Sequence, residues 1–174
     1  MCRDLAGHPL VSMSLAPGII WDLSRRGYER TRELAARRSI PITMHLNETP
    51  DDDEFSQRSY GKNTVEFLDD CGVLGPDFTA VHAVHMNDAG IAIFRERGVN
   101  VCHCPVSNMI LASGVAPVRD YLRRGIPVSL ASDGAASNDS QNMLEVLKLT
   151  ALLQKVHSGD AAAVPAAEVL EMAT

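Results

Sequence analysis

Three features of the sequence predict an α/β fold in which parallel strands are covered by helices. Apolar runs of strand length alternate with helix-length segments along the whole chain, the pattern that gives a parallel sheet. Turn-forming residues, among them Pro17-Gly18, Gly98, Pro105 and Gly125, punctuate the changes. His45, His82 and Asp133 each stand near the C-terminal end of a different apolar run. Parallel strands gather their site at that end when they close into a barrel, so a barrel or half-barrel is expected. A doubly wound open sheet is the structural alternative, but no Gly-x-Gly-x-x-Gly turn follows any strand.

The elements follow in order. Leu10 to Ala16 reads as a strand, broken by Pro17-Gly18. Ser24 can cap a helix to about Arg38, with Leu34 and Ala35 facing the core. Ile40 to Leu46 is the next strand, and Thr49 to Asn63, with its run Asp51-Asp52-Asp53-Glu54, reads as a long polar loop. Thr64 to Asp70 is a helix and Phe78 to Val84 a strand. Asn87 or Asp88 caps a helix carrying Ile91 and Phe94, which Gly98 ends. Val99 to Cys104 is a strand stopped by Pro105, and Val118 to Arg124 a short helix. Pro127 to Asp133 is a strand in which proline is tolerable because it comes first. Gln141 to about Val156 is a longer helix with Leu144, Leu147, Ala151 and Leu152 on its apolar side, and Ala166 to Thr174 is a last helical stretch. That makes about five βα units.

The 174 residues suggest one domain, 1–174, and a 45% hydrophobic fraction is ordinary for a globular chain. A net charge of −6 argues against a nucleic-acid partner. The basic pairs Arg25-Arg26, Arg37-Arg38 and Arg123-Arg124 fall in predicted helices and read as solvated faces. No apolar run approaches the roughly 20 residues of a membrane span, and the first ten residues have no signal-peptide core. A cytoplasmic location is expected. Cys2, Cys71, Cys102 and Cys104 need not be paired there.

Strand parity separates the candidate residues. Large side chains such as Val128 and Leu130 would face the helices, and Ser129, Ala131 and Asp133 the interior. The same reasoning puts Thr43 with His45 and Ala80 with His82 on the interior face. His85 then lies beyond its strand or on the outer face and reads as structural, while parity leaves His103 open. Glu48, three residues past His45, is either a proton carrier beside a metal ligand or a solvated carboxylate. Ser137 and Asn138 follow the small-residue turn after Asp133, where they cap the next helix or touch substrate. Trp21 either stacks on a flat ring at the barrel mouth or packs.

The stretches His45-Leu-Asn-Glu48-Thr, Val81-His82-Ala-Val-His85, His103-Cys-Pro-Val-Ser-Asn108, Leu111-Ala-Ser-Gly-Val-Ala-Pro117 and Ser132-Asp133-Gly-Ala-Ala-Ser-Asn138 stand in the order seen in a known family. From about Leu15 to Thr174 the sequence resembles the amidohydrolase superfamily. Within it the likeness is to the aminohydrolase branch: methylthioadenosine/S-adenosylhomocysteine deaminases, guanine deaminases and atrazine-chlorohydrolase-like enzymes. The resemblance implies a partial (β/α)8 TIM barrel. It implies one divalent metal ion, zinc with iron as the alternative, held in part by His45 and Asp133. It implies Glu48 as the proton shuttle, His82 as a contact of the activated water or substrate, and Ser137 near the substrate. The implied activity is hydrolytic deamination of a purine, pterin or related N-heterocycle. Removal of chloride or an alkylamine from a triazine is the second enzymatic reading, and a half-barrel binding module the non-enzymatic one. The cytidine-deaminase fold needs Pro-Cys-x-x-Cys, which is absent.

Two features depart from the family pattern. No His-x-His occurs to supply further ligands, and there is no sequence for the three preceding strands or the small β-sandwich. The expectation is a fragment of a longer enzyme that is itself a homo-oligomer. The chain alone would be inactive, with strand edges at Leu10–Ala16 and Pro127–Asp133 that invite self-association.

Overall fold

The computed structural model describes residue 8 and residues 11–174. Among these residues four strands, β1 (Ile42–Leu46), β2 (Phe78–His82), β3 (Asn100–His103) and β4 (Val128–Leu130), lie side by side in chain order. All three pairings are parallel. The expected strand at Leu10–Ala16 is reduced to a bridge. Leu15 pairs with Ile42, donating to the Pro41 carbonyl at 2.8 Å and accepting from the Thr43 amide at 2.9 Å. Leu10 lies outside the described residues. Pro17 and Gly18 end this pairing at once: Gly18 has φ +78° and turns its carbonyl onto the His45 amide at 3.0 Å.

The two faces of the sheet differ. Met44, Ala80, Val101 and Val128 form one row across it and are buried beneath the helices, with Ile42, Leu46 and Phe78 beside them. The next row, His45, Val81, Cys102 and Ser129, lies on the open face. This corrects the expected parity of the second strand. Ala80 belongs to the helix-covered face with Met44, and Thr79 and Val81 point the other way.

Helix α1 (Arg25–Arg38) starts where Ser24 Oγ accepts the Gly27 amide, and it buries Tyr28 and Ala35. The stretch expected as a polar loop is instead a helix, α2 (Pro50–Tyr60), closed by Gly61. Proline at its first turn and three aspartates beside it suit a helix N-terminus, where the backbone dipole favours negative charge. Two of those carboxylates turn inward: Asp52 accepts the Glu48 amide at 2.9 Å, and Asp53 the Thr64 amide at 2.8 Å. Helices α3 (Thr64–Asp70) and α4 (Asp88–Arg97) are capped by Asn63 and Asn87. Phe67, Phe78 and Phe94 are fully buried between these helices and the sheet, each stabilising the fold by roughly 1.5–3 kcal/mol.

Beyond β3 the chain forms α5 (Pro105–Ile110), a turn of helix the sequence reading lacked, then α6 (Val118–Arg123). The strand expected to reach Asp133 ends at Leu130, and α7 (Ala135–Asn138) follows. In α8 (Met143–Ser158) the cap is Asn142, rather than Ser137 or Asn138. Its buried stripe is Val146, Thr150 and Gln154, with Leu147 and Ala151 packed partly beneath it. Leu144 and Leu152, expected on the apolar side, are 77% and 45% exposed. The polar pair turns inward because it is satisfied there: Thr150 Oγ1 donates to the Val146 carbonyl and Gln154 Nε2 to that of Ala116. Helix α9 (Ala166–Met172) packs on α8. Among the described residues no helix is long and apolar enough to cross a membrane.

Candidate metal centre

The strand ends bring three donors together. His45 reaches the open face by alternation, between the buried Met44 and Leu46. His82 does not follow its strand's alternation. Its register partner is Leu46, on the helix-covered side. At His82 and Ala83 the backbone takes φ +70° and +44°, a left-handed conformation uncommon for residues other than glycine. The His82 ring thereby lies 5.1 Å from that of His45, centroid to centroid, inclined at 66°. Asp133, also at positive φ (+61°), arrives from beyond β4. One ligand atom of each of His45, His82 and Asp133 lies within 4.8 Å of the others.

The surrounding hydrogen bonds orient these groups. His82 Nδ1 meets Asn108 Oδ1 of α5 at 2.9 Å, so Nε2 is the nitrogen that faces the site, 3.6 Å from Glu48 Oε2. The other carboxylate oxygen of Glu48 accepts from Ser113 Oγ at 3.1 Å. Ser137 Oγ donates to Asp133 Oδ2 at 3.0 Å. Burial alone would raise the Asp133 pKa, but the Ser107 hydroxyl, the Gly134 amide, Ser137 and His82 outweigh it and hold the carboxyl below its usual range. The group is therefore a carboxylate at neutral pH. Two imidazoles and a carboxylate, converging with no cationic side chain among them, are a donor set suited to zinc and similar divalent ions.

The other candidates have plain positions. His85 is tied by Nε2 to the Ser113 carbonyl at 2.7 Å. Asn138 is 2% exposed, and its amide is used within the chain, donating to the Ser132 carbonyl and accepting from the Gln141 amide. Trp21 is half exposed and meets Phe55 of α2 edge-on, with ring centroids 5.9 Å apart. A cavity of about 100 Å³ lies beside His45, lined by Ala16, Gly18, Thr43, Met44 and Val81 as well. His103 points away from the open face and is fully buried, and burial with His82 nearby pushes its pKa down to about 3. Cys102 lies on the open face, where contact with Cys104 outweighs burial and draws its thiol pKa down.

The roles of several residues that shape the site have no local signal, although Asn108 and Ser113 lie in stretches that carry the family resemblance. Asn108, Ser113 and Tyr121 act across long separations. Tyr121 donates its hydroxyl to the Ala83 carbonyl at 2.6 Å, 38 residues away, and so holds the strained turn that carries His82. Asp52 was masked by the acidic run around it, although it is fully buried.

Known proteins resemble this chain in sequence and in fold. The sequence is 42% identical over 173 residues to a 5'-deoxyadenosine deaminase of Methanopyrus kandleri, covering 99% of this chain and 40% of the relative. It is 40% identical over 167 residues to a 5-methylthioadenosine/S-adenosylhomocysteine deaminase of Nitratidesulfovibrio vulgaris, covering 96% of this chain and 38% of that protein. The fold matches a crystal structure of an adenosine deaminase from Xanthomonas campestris with bound zinc. There the TM-score is 0.96 and the identity 34%, over 99% of this chain and 39% of that one. The chain thus spans about two fifths of the length of the relatives it matches. The sheet and its helices correspond to part of the amidohydrolase barrel. With the family's sequence profile matching residues 4–174, the chain belongs to the amidohydrolase family.

Proposed function

We propose that this chain carries one side of the active site of a metal-dependent deaminase, which hydrolyses a C–N bond of a purine or related N-heterocycle. The supporting observation is the convergence of His45, His82 and Asp133 within 4.8 Å, with Glu48 3.6 Å from His82. His45 and Asp133 would hold a zinc ion, with His82 converging on the same point. Such an ion makes water a nucleophile at neutral pH by lowering its pKa towards 7. Glu48 keeps one oxygen on Ser113 and turns the other to His82 at the site, so it can take a proton from water and deliver it to a ring nitrogen. His82 Nε2 orients the attacking water or the substrate at the same place. The water's second proton passes to the amino group, which leaves as ammonia, and a carbonyl remains. Ser137 keeps Asp133 in position and lies at the site's edge. The relatives' names point to adenosine-like compounds as substrates. Trp21 and Asn138 would contribute to substrate binding through the loops they brace.

The test separates metal from proton transfer. Zinc titration of the purified chain against a competing chelator should show binding that Asp133→Ala weakens and Glu48→Gln leaves intact. Fused to the sequence that the relatives carry outside this match, the chain should release ammonia from adenosine-like substrates. Glu48→Gln should lower that rate at least about 100-fold, because an amide cannot shuttle a proton. Near-normal turnover in this variant would exclude the proton path. Failure of the chain to bind zinc would exclude the metal site.

A further inference from the structure

The segment from 111 to 117 enters the steps above only as the anchor of one Glu48 oxygen, and it reaches the centre of the site. Ser113 is 6% exposed, and all three of its polar groups are used, its amide donating to the Asn108 carbonyl at 2.9 Å. Its hydroxyl donates to Glu48 Oε1 at 3.1 Å. Its carbonyl accepts from His85 Nε2 at 2.7 Å, and since a carbonyl only accepts, that nitrogen carries the proton. The His85 carbonyl accepts in turn from Asn47 Nδ2 at 2.9 Å. Asn47 returns the contact through its own carbonyl, which accepts the amides of Val84 and His85 at 3.0 and 2.9 Å. Gly114, at φ +122°, lets the segment lie flat on the loop after β2, where a Cβ would fall 2.9 Å from Val84 Cγ1.

Loops from three successive βα units therefore meet at one carboxylate. The Glu48 backbone is fixed separately, by Asp52 Oδ2 on its amide. That leaves the side chain, whose three torsions are costly to order without a partner. One oxygen is anchored on Ser113 and the other stands 3.6 Å from His82 Nε2. We propose that Ser113 is a positioning residue for Glu48. Its hydroxyl fixes Oε1 so that Oε2 stays turned to His82, and His85, by holding the Ser113 carbonyl, fixes the loop that carries that hydroxyl. The inference rests on Glu48 being the proton carrier proposed above, but its test reads the Glu48 side chain alone and needs neither metal nor turnover.

The experiment measures three-bond couplings from the Glu48 backbone nitrogen and carbonyl carbon to its Cγ in the metal-free, isotope-labelled chain. The wild type should show the extreme values of a single rotamer. Ser113→Ala should collapse them to averaged values, with amide shifts changed only around 45–49 and 111–117. Ser113→Thr, which keeps the hydroxyl, should restore the wild-type values. His85→Phe should average them although the hydroxyl is still present. Ser113→Cys, close in volume but a weak donor, gives the same reading should the alanine variant fold poorly. Wild-type values in Ser113→Ala or Ser113→Cys, or averaged values in the wild type itself, would overturn the proposal. A chain that binds no zinc but shows the expected couplings would sink the deaminase reading and leave this one standing.

Discussion

His45 and His82 sit at the ends of neighbouring strands with their rings 5.1 Å apart, and they reach that place by different routes. At the end of β1 the backbone stays extended through Leu46, and alternation alone carries His45 to the open face. At the end of β2 alternation would send His82 under the helices with Leu46, and positive φ at His82 and Ala83 brings it back. Such a conformation costs about 1–2 kcal/mol per non-glycine residue, so it must be held from outside. The holders are the Tyr121 hydroxyl on the Ala83 carbonyl and Asn108 on His82 Nδ1, 38 and 26 residues away in sequence. A side chain delivered by alternation depends on its own strand, whereas one delivered by a strained turn depends on distant elements.

The largest expected effect tests that dependence. Tyr121→Phe strands a buried carbonyl and should cost roughly 2 kcal/mol in denaturant unfolding. Faster amide exchange at Ala83 and Val84, with the His45 amide unchanged, is the expected local signature. Equal loosening of both strand ends would erase the distinction.

A somewhat smaller effect separates the two ends by pH. The turn after β1 is held by a carboxylate, Asp52, whose burial above all raises its pKa to about 6. The clamp on β2 is a phenol whose pKa burial pushes further up, so it stays neutral. In the unfolded chain Asp52 titrates near pH 4. Between about pH 4 and 6 the folded state therefore keeps a proton that the unfolded state has lost, and stability falls as pH rises. Asp52→Asn keeps an oxygen for the Glu48 amide and should remove about 1–2 kcal/mol of that decline. An unchanged slope would show that Asp52 is not the group responsible.

Gly18→Ala should cost about 1 kcal/mol, since φ +78° disfavours a side chain. The new Cβ would lie 1.9 Å from Asp22 Oδ2, displacing the carboxylate that accepts the Ile19 amide. Here exchange should quicken at His45, whose amide uses the Gly18 carbonyl, and not at Ala83.

The smallest effect is the most specific to the strained turn. Ala83→Gly should change stability by under about 0.5 kcal/mol, because relief of the positive φ offsets the added chain entropy. Ala80→Gly, in the extended and fully buried row of β2, should cost at least about 1 kcal/mol. A similar cost at both positions would mean that the turn at 83 is not strained.

Much of this was legible in the residues. Apolar runs marked all four strands, Ser24 and Asn87 marked helix starts, and Gly98 marked an end, because these signals depend on neighbours within a turn or two. His45 on the open face followed from alternation in the same way. Other features needed the folded chain. The acidic stretch after Thr49 carries helix-start signals in Pro50 and its aspartates, but only the Glu48 and Thr64 amides, accepted by Asp52 and Asp53, decide which carboxylates turn inward. The exposed Leu144 and the buried Gln154 of α8 invert the apolar pattern because the Ala116 carbonyl lies opposite Gln154. His82 was picked out by a parity argument that put Ala80 on the wrong face. Alternation determines where a side chain points only while the backbone stays extended. Contacts from Asn108 and Tyr121, reaching across 26 and 38 residues of sequence, decided where this one turned.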